Sequence, residues 1–334
     1  MAPIGLEPDQ RSMFNHLAWL AHPACGIAPD LRLEIAWGDP NVGPNRSRTY
    51  SLRELGAAVG FAAWINRAKG CNVYVGATLK SPTAPERGRI GANLAALATC
   101  LPVDVDVQFI AAATKLATIA KPQLLVLTGR SPQPRGQLFV RIEPTSDLAA
   151  WQTVHERVIR QCGGDEHACG RGRLMRLAGT VSYPSSAKIE RGYAVERTSA
   201  HFVPAPEFSV PELLALLPAP PTPSLSVEGY ATSPGLGRKR KKPPLSAIEA
   251  SLRVLPLAYA VERGLWIKVG FALHDFDSSP LGLRLWAQFS QRCPQKAALT
   301  DFTSLWQGFG RPYAGQRITV RWLQFEALLV SFGG

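Results

Sequence analysis

The sequence predicts an α/β domain of the α+β kind, built on a mixed or antiparallel sheet, followed by a small all-α helical bundle. Three observations predict it. From about residue 70 to 200, β-rich runs alternate with runs of helical period, yet no glycine-rich strand-to-helix turn occurs of the sort a doubly wound nucleotide-binding sheet requires. Ten of the 28 prolines then fall between Pro204 and Pro244, a density that no packed core tolerates. Beyond them, tryptophans recur at 266, 286, 306 and 322 within helix-like runs. No other residue recurs in register with them, so they read as bundle core and not as a structural repeat. The predicted boundaries are 1–217 for the first domain, 218–244 for a proline-rich linker and 245–334 for the helical domain.

The elements follow in chain order. Residues 1–70 are the least legible: Trp19, Trp37 and Trp64 read as packing aromatics, and the segment completes the first domain. Asn72 to Leu79 is a strand, Ile90 to Cys100 an alanine- and leucine-rich helix, and Val103 to Phe109 a second strand. Gln123 to Thr128 and Gln137 to Ile142 form a hairpin across a polar, proline-rich turn. Asp147 to Gln161 is an amphipathic helix with Trp151, Val154, Val158 and Gln161 on its stripe. Leu174 to Tyr183 and Tyr193 to Arg197 are further strands, and Ser209 caps a short helix from Val210 to Leu217. In the last domain Ser246 and Glu249 have the spacing of a capping box.

Composition bounds the function. The formal net charge of +12 and pI of about 9.7 suit a protein that meets a polyanion, nucleic acid first among them. No run approaches the ~18 apolar residues of a membrane span, and the start has no secretory pattern, so a cytoplasmic location without a membrane partner is expected. Six cysteines, at 25, 71, 100, 162, 169 and 293, form no disulfide framework and read as small buried hydrophobes. A phosphate-binding Gly-x-x-x-x-Gly-Lys-Ser/Thr loop is absent, which excludes an ATP-driven motor.

Leu-Pro-Val-Asp-Val-Asp-Val-Gln, 101–108, carries the chemistry. On a strand Val103, Val105 and Val107 face one way and Asp104 and Asp106 the other, about 7 Å apart. Two like charges so placed suit a divalent cation such as Mg²⁺ or Mn²⁺; the plainer reading is a strand with one wet face. A third carboxylate for phosphoryl chemistry is available in Gly163-Gly164-Asp165-Glu166-His167, with Asp165 preferred and Glu166 as the fallback. Arg171, Arg173 and Arg176 follow and can clamp phosphate, against the alternative of plain solvated arginines. The basic run Arg238, Lys239, Arg240, Lys241 and Lys242 is a non-specific phosphate binder. Zinc is not expected, because Cys162, His167 and Cys169, with His155, match no standard ligand spacing. A covalent relaxase is excluded, since none of the six histidines has a metal-holding partner one residue away.

Taken in order, these motifs resemble a known family. Val-Asp-Val-Asp, Arg-Gly-Gln-Leu-Phe-Val-Arg-Ile behind a Thr-Gly turn, Gly-Gly-Asp, and Arg-Leu-Met-Arg-Leu-Ala-Gly-Thr-Val-Ser-Tyr-Pro look like the motif series of RepB-like plasmid and phage primases of the archaeo-eukaryotic primase superfamily. Leu-Trp-Ile-Lys-Val-Gly-Phe-Ala-Leu-His, Leu-Trp-Ala-Gln-Phe-Ser and Leu-Trp-Gln-Gly-Phe resemble the helical primase C-terminal domain often fused behind them. The resemblance implies an RRM-like catalytic core in which Asp104, Asp106 and Asp165 hold two Mg²⁺ or Mn²⁺ ions for nucleotidyl transfer. Arg135-Gly136-Gln137 stands where much of the superfamily has a hydroxyl residue and a histidine, so Arg135 and Gln137 take the nucleotide triphosphate. Arg176 and Lys188 contact phosphate or template, and Arg171, Arg173 and the 238–242 run contact DNA. Its partners would be a single-stranded DNA template, nucleoside triphosphates and a separate replicative helicase, since no helicase signature is present. The rival from another class is a non-catalytic single-stranded DNA or origin-binding replication initiator, to which two aspartates facing a phosphate backbone would bring nothing.

Overall fold

Asp9 starts the first helix, α1 (Gln10–Cys25), by accepting the Ser12 N–H at 3.1 Å. Met13, His16, Leu17, Leu20, Ala21 and Ala24 recur at helical spacing and are all buried. The computed structural model describes residues 6–88, 90–164, 169–217, 242–309 and 318–333, and the chain divides into two units, Met1–Ala219 and Pro220–Gly334. In the first, α1 is followed by the antiparallel pair β1 (Arg32–Gly38) and β2 (Arg46–Ser51), by α2 (Leu55–Lys69), and by β3 (Asn72–Gly76) and β4 (Leu79–Lys80). Leu33, Ile35, Val73 and Val75 join the two helices in one apolar core. Lys80 Nζ and Glu34 Oε2 form a buried ion pair at 3.3 Å between β4 and β1.

The next five elements run strand, helix, strand, strand, helix: β5 (Ala95–Val105), α3 (Phe109–Ile119), β6 (Leu124–Gly129), β7 (Arg135–Thr145) and α4 (Leu148–Cys162). Here the first correction arises. Ile90 to Cys100 is not a helix; a single 3₁₀ turn at Ala92–Leu94 leads straight into β5. Leu97 to Val103 is buried without interruption, because β5 is central, between β4 and β7, with α1 and α4 both packed on it. Such a doubly covered strand loses its alternation and reads like a buried helix. The predicted hairpin is β6 and β7, with Leu125 opposite Leu138 and Val126 opposite Gln137. Asp147 caps α4 through the N–H groups of Ala149 and Ala150, and Gly163 closes it at φ 74°. Cys162, not the exposed Gln161, completes the α4 stripe.

The first unit ends with β8 (Leu174–Arg176), β9 (Val181–Ser182), α5 (Ser186–Glu190), β10 (Glu196–Arg197), β11 (Ser199–Phe202) and α6 (Val210–Leu216). The predicted strand 174–183 is thus two short ones broken at Gly179, φ 81°. The main sheet runs β11-β6-β7-β5-β4-β1-β3-β8, with β2 added on β1, and every ladder in it is antiparallel. This is the α+β class with an antiparallel sheet that the sequence predicts.

The second unit is helical: α7 (Leu245–Val254), α8 (Ala258–Val261), α9 (Arg263–Phe276), α10 (Pro280–Ser290), α11 (Pro294–Ala298), α12 (Phe302–Phe309) and α13 (Val320–Gly333). Trp266 and Trp286 stack at 4.6 Å and Trp306 lies 6.0 Å from Trp286, each indole N–H finding an oxygen within the bundle. His274, 4.9 Å from Trp306, is a bundle residue. Ser246 does not cap α7; Pro244 holds that position and Ser246 lies inside the first turn. No helix among the described residues is long and apolar enough to cross a membrane.

Candidate active site

The end of β5 brings the two aspartates to one cavity. Asp104 lies opposite Gln137 in the β5–β7 ladder, and Gln137 Nε2 donates to its Oδ1 at 3.3 Å. β5 stops at Val105, so Asp106 and Val107 stand clear of the sheet, and Val107 is exposed and does not extend the apolar face as alternation predicts. The break is made by Gln108, a non-glycine residue at φ 55° that starts α3. A left-handed residue costs about 1 kcal/mol or more, and such outliers cluster at sites whose geometry they fix.

The cavity, of about 210 Å³, is lined by Asp104, Asp106, Arg135, Gln137, Arg173, Arg176 and Lys188, together with Thr128, Tyr74, Tyr183 and Tyr193. Seven predicted site residues from β5 and the turn after it, β7, β8, α5 and the loop before β8 therefore share one space. Four cations against two carboxylates leave it positive, as a bound polyphosphate requires. Arg173 lies 3.9 Å from Asp104 Oδ2. Burial pushes the Asp104 carboxyl up to about 6, and the Asp106 charge adds to this against the pull of Gln137, Arg173 and Arg176. Gln137 Oε1 and Arg176 NH1 are buried in the cavity wall without a hydrogen-bond partner among the described residues. Orphaned polar atoms of this kind point to a ligand that completes them.

Two tyrosines that the sequence reading missed hold the cations. Arg176 lies 4.5 Å from the centroid of Tyr74, and Arg135, Lys188 and Arg191 lie 4.4, 5.5 and 5.5 Å from that of Tyr193. The Arg135 guanidinium also donates to the Ser131 carbonyl and fills the place a Gly129 side chain would take, since a Cβ there would lie 2.0 Å from NH2. The Thr-Gly turn is the sequence signal for that passage. Two buried asparagines fix the opposite wall. Asn66 bonds both Val181 N and O, and Asn72 both Tyr183 N and O, all at 2.8–2.9 Å, which seats the Val-Ser-Tyr-Pro segment as a ladder would.

Not every predicted residue reaches the cavity. Arg171 does not line it; it lies in the turn before β8, and its carbonyl accepts from Thr78. Arg171 and Arg173 both lie in a loop, and of the two only Arg173 joins Arg176 in the cavity. Lys242 is exposed ahead of α7, while Asp165, Glu166 and Arg238, Lys239, Arg240 and Lys241 lie outside the described residues. Gly164 is described: a Cβ on it would lie 2.8 Å from Val103 Cγ1 and 3.3 Å from the Asp104 carbonyl oxygen. The Gly164 backbone therefore passes against that of Asp104. Among the described residues no three metal-ligating side chains cluster. Two hard carboxylate donors, Asp104 and Asp106, lining one cavity nonetheless fit a divalent ion such as Mg²⁺ or Mn²⁺. Near the zinc alternative, Cys169 Sγ lies 3.5 Å from His155 Nδ1, His155 Nε2 is committed to the Pro102 carbonyl, and burial raises both Cys162 and Cys169 to about 11, while His167 lies outside the described residues.

Comparison with known proteins adds one decisive match. Residues 248–327 match the family model Primase C terminal 2 (PriCT-2). The PriCT-2 segment coincides with the tryptophan-centred bundle from Ile248 in α7 to Ala327 in α13, and bears out for that bundle the resemblance to a primase C-terminal domain. Among curated proteins none matches the chain. Solved structures similar to it include the AEP domain of the cyanophage S-2L primase-polymerase (17% identity, TM-score 0.43, covering 63% of this chain and 99% of that one). Primase RepB′ (14%, 0.41, 89% and 98%) and its catalytic domain in complex with initiator DNA (16%, 0.37, 56% and 85%) are others. These superpositions are loose, and the functional reading rests on the cavity and the PriCT-2 match.

Proposed function

We propose that the chain is a primase of a plasmid, phage or mobile element, which makes primers on single-stranded DNA by template-directed nucleotidyl transfer in the cytoplasm. The observation that carries this reading is the joining of Asp104 and Asp106 with Arg135, Gln137, Arg173, Arg176 and Lys188 in one cavity, in a chain that also carries a PriCT-2 segment. Asp104 and Asp106, with Asp165, would hold one or two divalent ions, which supply Lewis-acid activation of a 3′-hydroxyl and charge neutralisation on the leaving pyrophosphate. The protein's own groups do the rest. Arg135 and Lys188, gathered round Tyr193, and Arg176 on Tyr74 hold the triphosphate, while Gln137 Nε2 keeps Asp104 in place with one N–H and donates the other to a phosphate oxygen. A non-catalytic DNA binder has no use for two carboxylates among four cations, where they only weaken phosphate binding. A separate helicase would open the duplex.

Two predictions arise here. Because Arg135 touches the triphosphate and not the reacting bond, Arg135→Ala raises the apparent KM for nucleotide roughly tenfold with kcat within a few-fold of wild type, whereas Gln137→Ala, which also frees Asp104, lowers kcat as well. Gly129→Ala pushes the Arg135 guanidinium aside and raises KM in the same way, in steady-state assays with saturating template.

The second concerns the PriCT-2 bundle. Starting a chain requires two free nucleotides to be ordered on template without a duplex to anchor them, an entropic cost that extra contacts must offset. Limited proteolysis is expected to cut between about Pro218 and Lys242, as the proline-dense sequence suggests. The fragment ending at Leu217 extends a supplied primer end but loses unprimed initiation, and residues 245–334 added in trans restore part of it. Full initiation by the fragment alone would assign the bundle to another task, and failure of the whole chain to extend or initiate would remove the primase reading.

A further inference from the structure

Away from the cavity, α2 and β2 present a second surface that the proposed chemistry leaves unused. Trp64 projects from α2 with 53% of its surface exposed, and its ring lies 6.0 Å from Phe61. Phe61 in turn meets Trp37 of β1 at 4.9 Å and Tyr50 of β2 at 6.3 Å. Arg48 lies over both Tyr50 and Phe61, at 5.0 and 5.9 Å, and its buried Nε has no hydrogen-bond partner among the described residues. Arg46, directly opposite Trp37 in the ladder, is exposed, as are Arg53 and Arg87. The nearby acids are Asp39, Glu54 and Glu86; Asp39 and Glu54 are occupied by the N–H groups of Asn41 and Ser51.

The helix surface beside Trp64 is bare. Gly56 and Gly60 precede it at helical spacing, and a Cβ at either would meet nothing within 4 Å. Each glycine costs the helix about 1 kcal/mol relative to alanine, and no packing within the protein requires it. The surface therefore combines an exposed aromatic shelf, interleaved arginines and room for a close approach. It is continuous with the cavity rim: the loop between β1 and β2 supplies Pro40 to the cavity, and Asn41 Oδ1 accepts the Ser186 N–H at 2.9 Å.

We propose that this face of β2 and α2 is a track for single-stranded DNA, with unpaired bases stacking on Trp64 and the phosphates meeting Arg46, Arg48 and Arg87. Only unpaired bases expose the faces that a tryptophan stacks on, which selects single strands over duplex. The track rests on the primase reading for the strand's role as template, but its binding is measurable without synthesis. A 5-iododeoxyuridine-substituted oligonucleotide is irradiated on the full chain, wild type and Asp106→Ala alike, and the trypsin digest is mapped by mass spectrometry. The expected adduct is in the peptide Glu54–Arg67. Fluorescence anisotropy with labelled oligo-dT gives a roughly tenfold loss of affinity for Trp64→Ala, largely restored in Trp64→Phe. Arg46→Ala lowers the slope of log affinity against log salt by about one. Nucleotide binding in the cavity is unchanged in all three variants. Adducts confined to other peptides with wild-type affinity in Trp64→Ala would overturn the track, as would a Trp64→Ala change in oligomeric mass with DNA binding intact. Loss of synthesis in the wild type with the Trp64 adduct present would count against the primase reading alone.

Discussion

Primer synthesis in the Asp106→Ala protein falls at least about 1,000-fold, below detection in a standard assay, while affinity for single-stranded DNA stays within a few-fold of wild type. The size follows from the place of the carboxylate. Asp106 stands free of the sheet at the cavity mouth, and no other described acid shares the cavity except Asp104. Its loss leaves one carboxylate among four cations, and a divalent ion cannot be held there against their charge. DNA affinity survives because it is carried by basic residues over the wider surface, as the net charge of +12 requires. Asp104→Asn gives the same loss with the Gln137 contact largely preserved in shape. Wild-type rates in either variant would show that the aspartates are only the wet face of a strand.

The second large effect is on stability. Burial holds His16 at about 3 and His155 at about 4, from the ordinary 6.5. Each is neutral by construction. His16 Nδ1 accepts the Ala178 N–H at 3.2 Å, and His155 Nε2 donates to the Pro102 carbonyl at 2.5 Å while Nδ1 faces the Cys169 thiol. Both folded values lie below the unfolded one, so the unfolded chain binds more protons between them. Stability is fully present above pH 6.5 and is lost as the pH falls, by roughly 1.4 kcal/mol per unit for each histidine. Asp104 acts in the opposite sense: its carboxyl, raised to about 6 from 3.8, takes up a proton in the folded state below pH 6 and offsets one of them. In metal-free buffer the net loss from pH 6.5 to 5 is roughly 2 kcal/mol, and the Asp104→Asn protein, without the offset, loses roughly 3. Urea unfolding at stepped pH measures both. A flat profile over that range would mean that neither histidine is kept neutral by its surroundings.

What was legible in the sequence was what local pattern encodes. The α4 helix, the β6–β7 hairpin and the tryptophan bundle each carry periodicity, caps or turn residues within their own length. Asp104 and Asp106 stand out because charged residues in an apolar strand are costly unless used, Arg173 and Arg176 because arginines alternate there with apolar residues, and Arg135, Gln137 and Lys188 through the motif resemblance. The start of β5 reads as helix because burial on both faces erases alternation, and α3 is hidden because Phe109 reads as the end of the preceding strand. Tyr74 and Tyr193 were invisible for a different reason. A tyrosine that holds an arginine across 58 or 102 residues of chain leaves no local trace, nor do Asn66 and Asn72, whose partners in the 181–183 segment lie more than 100 residues away.

The measurement closest to the central claim is unprimed synthesis. The full chain is incubated with single-stranded DNA, Mg²⁺ or Mn²⁺ and nucleoside triphosphates labelled in separate reactions at the α- and the γ-phosphate. The account predicts short products that carry the α label throughout and one γ label at the 5′ end, appearing only with template and vanishing in Asp106→Ala. Tight binding of the same DNA with no labelled product under either ion would contradict it, and would leave a non-catalytic replication initiator as the better description of this chain.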